Sequence, residues 1–116
     1  MAVSSLEPGG AVRPSAALHA AFVATSTGVY RLEAPLTFAT VAALRNPGLA
    51  LIAAAGSGGL TFDLEAVPAV DSAGLALLID WLATARARSC QLHYAKPAET
   101  LLSLARLSEV EALLSG

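Results

Sequence analysis

The run Leu60-Thr61-Phe62-Asp63-Leu64 is followed by Asp71-Ser72-Ala73-Gly74 and then by a strongly apolar stretch, and this succession constrains the fold more than any other feature. The first run is short, apolar and flanked by turn residues, as a central strand with both faces covered would be. Asp and Ser are preferred at helix N-termini, where their side-chain oxygens accept hydrogen bonds from the amides of the first turn. Leu75, Leu78, Ile79 and Leu82 then recur at the i, i+3, i+4, i+7 spacing of a helix with one buried face. The predicted helix opens at the Asp-Ser turn and reaches about Arg88.

The rest of the chain repeats the alternation. Val29-Tyr30-Arg31-Leu32-Glu33 alternates and carries β-formers, so it reads as the first strand, with Pro35-Leu36 extended beyond it. Phe38, Val41, Ala42 and Leu44 follow helical spacing, and Asn46-Pro47-Gly48 should stop or kink that helix before Leu49–Ala55 resumes it. Gln91-Leu92-His93-Tyr94 reads as a further strand, Pro97 as the first position of a helix to about Leu107, and Ser108 as the cap of a last short helix through Leu114. Strands alternating with crossover helices imply an α/β fold, with a mainly parallel sheet and helices packed on it. Residues 1–27, rich in Pro, Gly, Ser and Ala without periodicity, read as a loosely ordered tail, and residues 28–116 as the domain.

A chain of 116 residues suffices for one domain. Hydrophobic residues make up 55% but aromatics only 5%, so the core must rely on Leu and Val, with close helix approaches through Ala. The net charge of -2, with 7 scattered Lys and Arg, offers no basic stripe for phosphates and argues against nucleic acid as a partner. Cys90 stands alone, which excludes an internal disulfide or a thiolate metal cluster. The first charge is Glu7 and the apolar run Ala16–Val23 is interrupted by His19, a pattern unlike a secretory leader. Pro47, Gly56 and Asp63 break the apolar middle well short of the ~18 to 20 residues that span a bilayer. The expectation is a cytoplasmic protein that meets a membrane only through a partner.

No catalytic constellation assembles. His19 and His93 lie in the presumed tail and on a strand, without zinc-ligand spacing. Asp63, Glu65 and Asp71 are clustered carboxylates without a nucleophile and base to accompany them. Gly56-Ser57-Gly58-Gly59 precedes a strand, whereas a phosphate loop follows one and leads into a helix with a Lys, so it reads as a connector. Neither an enzymatic role nor a cofactor is expected.

The run Val70-Asp71-Ser72-Ala73-Gly74-Leu75-Ala76-Leu77-Leu78 resembles the signature of STAS domains, the fold named after sulfate transporters and anti-sigma factor antagonists. Together with Leu101-Leu102-Ser103-Leu104-Ala105-Arg106-Leu107, it is most similar to the small STAS subunit of Mla-type phospholipid-transporting ABC complexes (MlaB-like). The resemblance implies a partner-docking face at Asp71, Ser72, Ala73 and Gly74, and Ser72 matches the hydroxyl residue phosphorylated in anti-sigma factor antagonists. Gly74 would then leave room for a partner's backbone. Leu77 and Trp81 form a stripe beside the core face, and a partly exposed Trp next to Leu has the composition of an interface hot spot. Two partners follow from the resemblance: the ATPase subunit of an Mla-like ABC transporter, or a kinase-like anti-sigma factor that phosphorylates Ser72. Two local departures from the family are Glu65, where a small polar residue is common, and Ser89-Cys90, which replaces the glycine that often closes the signature helix.

Overall fold

The computed structural model describes residues 21–107. In chain order the elements are β1 (Phe22–Ser26), β2 (Val29–Leu32), α1 (Val41–Ala55), β3 (Gly59–Asp63), α2 (Ser72–Ala87), β4 (Gln91–Ala95) and α3 (Glu99–Leu107). The sheet runs β1-β2-β3-β4, with β1 antiparallel to β2 and the other neighbours parallel. This is the mixed, mainly parallel α/β sheet that the alternation of elements predicts.

Register explains the core. Tyr30, Phe62 and Tyr94 pair across three strands, and Leu60 pairs with Leu92 across β3 and β4. Because strand side chains alternate, these residues share one sheet face with Phe22 and Leu32. Leu32, Leu60, Phe62, Leu92 and Tyr94 are buried there, whereas Thr61 and Asp63 on the opposite face are only half-buried and His93 is exposed. The expectation that both faces of β3 are covered is therefore corrected: among the described residues, the helices lie on one side and the strand alternates. Each fully buried Leu or Phe on that side contributes roughly 1.5–3 kcal/mol.

Helix α2 packs against both the sheet and α1, and this widens its buried arc. Leu75 and Leu78 are buried as the periodicity predicts, but so are Leu77, Trp81 and Ala85, while Ile79 and Leu82 are only partly covered. The Tyr94 hydroxyl donates to the Leu78 carbonyl at 2.6 Å and ties β4 to α2. Burial, followed by the Asp80 charge, pushes the Tyr94 phenol well above its ordinary range. At its end, α2 closes with Ser89 at φ 60°, the Ser89 N–H donating to the Arg86 carbonyl and the Cys90 N–H to the Ala85 carbonyl. That is the geometry of a Schellman cap, in which a left-handed residue is usually glycine.

Three boundaries differ from the sequence reading. Residues 22–26, assigned to the tail, form β1, which pairs with β2 around Gly28 at φ 75°. Helix α1 runs unbroken through Pro47. Tertiary contacts flank the proline: Trp81 Nε1 donates to the Arg45 carbonyl at 3.2 Å, and the indole lies directly on Gly48, whose missing side chain makes the space. Phe38 precedes the helix and is exposed, and Pro97 precedes α3, which begins at Glu99. The helix expected over 108–114 and the remainder of the tail, 1–20, lie outside the described residues.

Candidate functional site

The Asp-Ser turn lies where two stretches of backbone meet. Leu36 bridges to Val70, its N–H donating to the Ala69 carbonyl at 2.8 Å and its carbonyl accepting from the Asp71 N–H at 3.1 Å. This brings the 33–40 loop against the start of α2. A Cβ on Gly74 would lie inside contact distance of the Leu36 carbonyl oxygen and 2.6 Å from its carbonyl carbon. The space kept by Gly74 is therefore filled by this chain's own backbone. The reading of Gly74 as a seat for a partner's backbone is corrected on that ground.

Asp71, not Ser72, caps α2. Its Oδ1 accepts from the Gly74 N–H at 3.1 Å, and its Oδ2 accepts from the Phe38 N–H at 3.0 Å. The Phe38 bond first, and the Gly74 bond second, hold the Asp71 carboxyl below the usual carboxylate range. Ser72 sits in the first turn with its side chain exposed. Among the described residues, no side-chain hydrogen bond engages its hydroxyl, so the role most expected of a serine at this position is already filled by its neighbour.

Leu77 and Trp81 are corrected as direct contact residues. Trp81 is 0% exposed and Leu77 5%. Trp81 stands edge-on to Phe62 at 5.4 Å and to Phe22 at 5.9 Å between ring centroids. Its function is to lock α1 onto α2, and Leu77 forms part of the floor of the groove between those helices. That groove, of about 260 Å³, is bounded by Val41, Ala42 and Arg45 on α1 and by Ala73, Ala76 and Asp80 on α2. The Arg45–Asp80 ion pair at 3.0 Å crosses it with both side chains about half exposed, and such pairs contribute about 0–1 kcal/mol.

Sequence reasoning missed Phe38. It is 83% exposed, and the Asp71 bond sets it beside the helix start that carries Ser72. An aromatic ring flanked by Thr37 and Thr40, whose hydroxyl and carbonyl groups fold the turn, was the available signal. Exposed Ser72 and Phe38, half-exposed Asp71 and Ala73, and the groove beside them form one surface. A larger cavity, about 320 Å³, lies at the far end of α2 between Arg86 and the start of β4, away from Ser72. Among the described residues no group of His, Cys, Asp and Glu is arranged to hold a metal, and no helix is long and apolar enough to cross a membrane.

The family model for the STAS domain of MlaB matches residues 17–115. The chain belongs to the MlaB-like STAS domain family. The match includes β1, in agreement with the hairpin seen here, and covers both the Asp-Ser turn and the loop bearing Phe38. Among solved structures, a Thermotoga maritima protein described as an anti-sigma factor antagonist superimposes with a TM-score of 0.69 at 14% identity, over 84% of this chain and 86% of that one. At that identity the likeness establishes the STAS fold. No curated protein sequence matches the chain. STAS domains are typically non-enzymatic regulatory or adaptor modules that act through other proteins.

Proposed function

We propose that this chain is a non-enzymatic adaptor that binds the ATPase subunit of an Mla-like phospholipid-transporting ABC complex through the start of α2. The observation that carries the reading is the exposed, uncommitted hydroxyl of Ser72 beside an exposed Phe38 and an apolar groove, in a chain whose family is MlaB-like. Apolar rings at the centre of a patch with polar neighbours are the composition of interface anchors. Asp71, Ser72 and Ala73 meet the partner directly, while Gly74, Leu77 and Trp81 hold the surface in shape from below. The partner hydrolyses ATP, and the chain reaches the inner face of the inner membrane through that partner.

Ser72 favours a second reading. A serine hydroxyl that is exposed and unshared is open to a kinase, so the chain as an anti-sigma factor antagonist, controlled by phosphorylation of Ser72 by a kinase-like anti-sigma factor, is the alternative. Tagged full chain co-expressed with each partner class separates the two. The adaptor reading expects the ABC ATPase subunit to co-purify and Ser72 to remain unmodified by mass spectrometry. Capture of a kinase-like protein together with phosphate on Ser72 overturns it in favour of the antagonist.

A further inference from the structure

The Asp71 carboxylate connects the cap of α2, the neighbouring Ser72 and the exposed ring of Phe38. One of its oxygens accepts from Gly74 in the helix, and the other accepts from Phe38, 33 residues earlier in the chain. The rest of the loop is anchored independently. Leu36 is held by Ala69, and the Thr40 hydroxyl donates to the Pro35 carbonyl at 2.6 Å and accepts from the Thr37 N–H at 3.0 Å. At Phe38 itself the acceptor is Asp71.

We propose that Asp71 is the positioning residue that presents Phe38 to the partner, and that negative charge added at residue 72 loosens this hold. The inference rests on the reading that the Ser72 and Phe38 surface meets a partner. Only a short side chain with two acceptor oxygens can serve both amides; serine has one oxygen, and asparagine has one acceptor oxygen beside a donor. A second anion at residue 72 stands beside the Asp71 carboxylate and competes for the same first-turn N–H groups. Asp71 then gives up part of its bond to Phe38, because the like charge beside it displaces the one carboxylate that serves both the Gly74 and the Phe38 amides. Charge at Ser72 thereby acts on the ring of Phe38 without touching it.

Amide hydrogen exchange of the isolated full chain, read residue by residue by NMR, tests this without a partner. Asp71→Ser keeps a capping oxygen for Gly74, so the Gly74 amide stays protected while the Phe38 amide exchanges roughly tenfold faster. Ser72→Asp speeds the Phe38 amide in the same direction, and the Phe62 amide in β3 is unchanged in both variants. Phe38 exchanging at the wild-type rate in either variant overturns the proposal. Capture of the co-expressed ABC ATPase subunit supplies the second arm. Asp71→Ser weakens it in the wild-type background and weakens it less in a Phe38→Ala background, where only the direct contact of Asp71 remains to be lost; fully additive losses overturn the positioning role. A wild-type chain that captures no ATPase subunit defeats the adaptor reading instead, and the exchange rates still judge the hold of Asp71 on Phe38.

Discussion

Gly48→Ala sets two effects of opposite sign against each other inside α1. Alanine is a better helix residue than glycine by roughly 0.8–1 kcal/mol, so an unpacked position would gain stability. Here the new methyl would meet the six-membered ring of Trp81 and come within 2.6 Å of its Nε1. The indole cannot withdraw freely, because it is fully buried and flanked by Phe22 and Phe62. Overpacking of this kind costs about 1–3 kcal/mol, and displacing Nε1 from the Arg45 carbonyl costs about 0.5–1.5 kcal/mol more. After the propensity gain, the net is a destabilisation of roughly 1–3 kcal/mol, a substantial share of the ~5–15 kcal/mol typical of a domain. Urea unfolding followed by circular dichroism measures it, and the same substitution in a Trp81→Phe background isolates the contact. There, with the indole gone, Gly48→Ala should be near neutral or stabilising by up to ~1 kcal/mol. Stabilisation in the wild-type background, or the same change in both backgrounds, would refute the seating of Trp81 on Gly48.

Gly74→Ala should cost more than Gly48→Ala, because the atom it meets is the Leu36 backbone rather than a side chain; thermal melting should show a large loss or no folded protein. Ser89→Gly should stabilise by about 1 kcal/mol in urea unfolding, since it relieves a non-glycine residue at φ 60° in the cap of α2. Asp71 has a lowered carboxyl pKa in the folded chain, so its contribution is fully present above the ordinary value of 3.8 and is lost as pH falls through the lower folded value. The difference in melting temperature between wild type and Asp71→Ser should accordingly hold at neutral pH and close in acid below that value; a difference that persists unchanged there contradicts the two hydrogen bonds.

The strands β2, β3 and β4 and both ends of α2 are legible in the sequence because local chemistry decides them: alternation, turn residues and an Asp cap. Strand β1 was hidden because Phe22-Val23-Ala24-Thr25-Ser26 is short, adjoins an alanine- and serine-rich stretch and acquires its partner only through the turn at Gly28. Pro47 misled for a different reason. Its helix-breaking effect is intrinsic, and the indole that packs on α1 to either side of it arrives from 34 positions away, beyond the reach of any local rule. Trp81 and Leu77 carried the same ambiguity, since helical periodicity gives which residues share a face but not how many neighbours the helix has. Ser72 was found by its resemblance to the family signature, whereas Phe38 needed the long-range bond from Asp71 to be placed beside it.

Calorimetric titration of the full chain against the ABC ATPase subunit, carried out with wild type, Ser72→Asp and Phe38→Ala, bears most directly on the adaptor role. Both substituted side chains are exposed, so the variants should melt within a degree or two of wild type. The wild-type chain should bind, with affinity reduced roughly tenfold or more by removal of the Phe38 ring and by the charge at residue 72. Binding of equal strength by all three folded proteins, or by none of them, would contradict a docking surface at the start of α2.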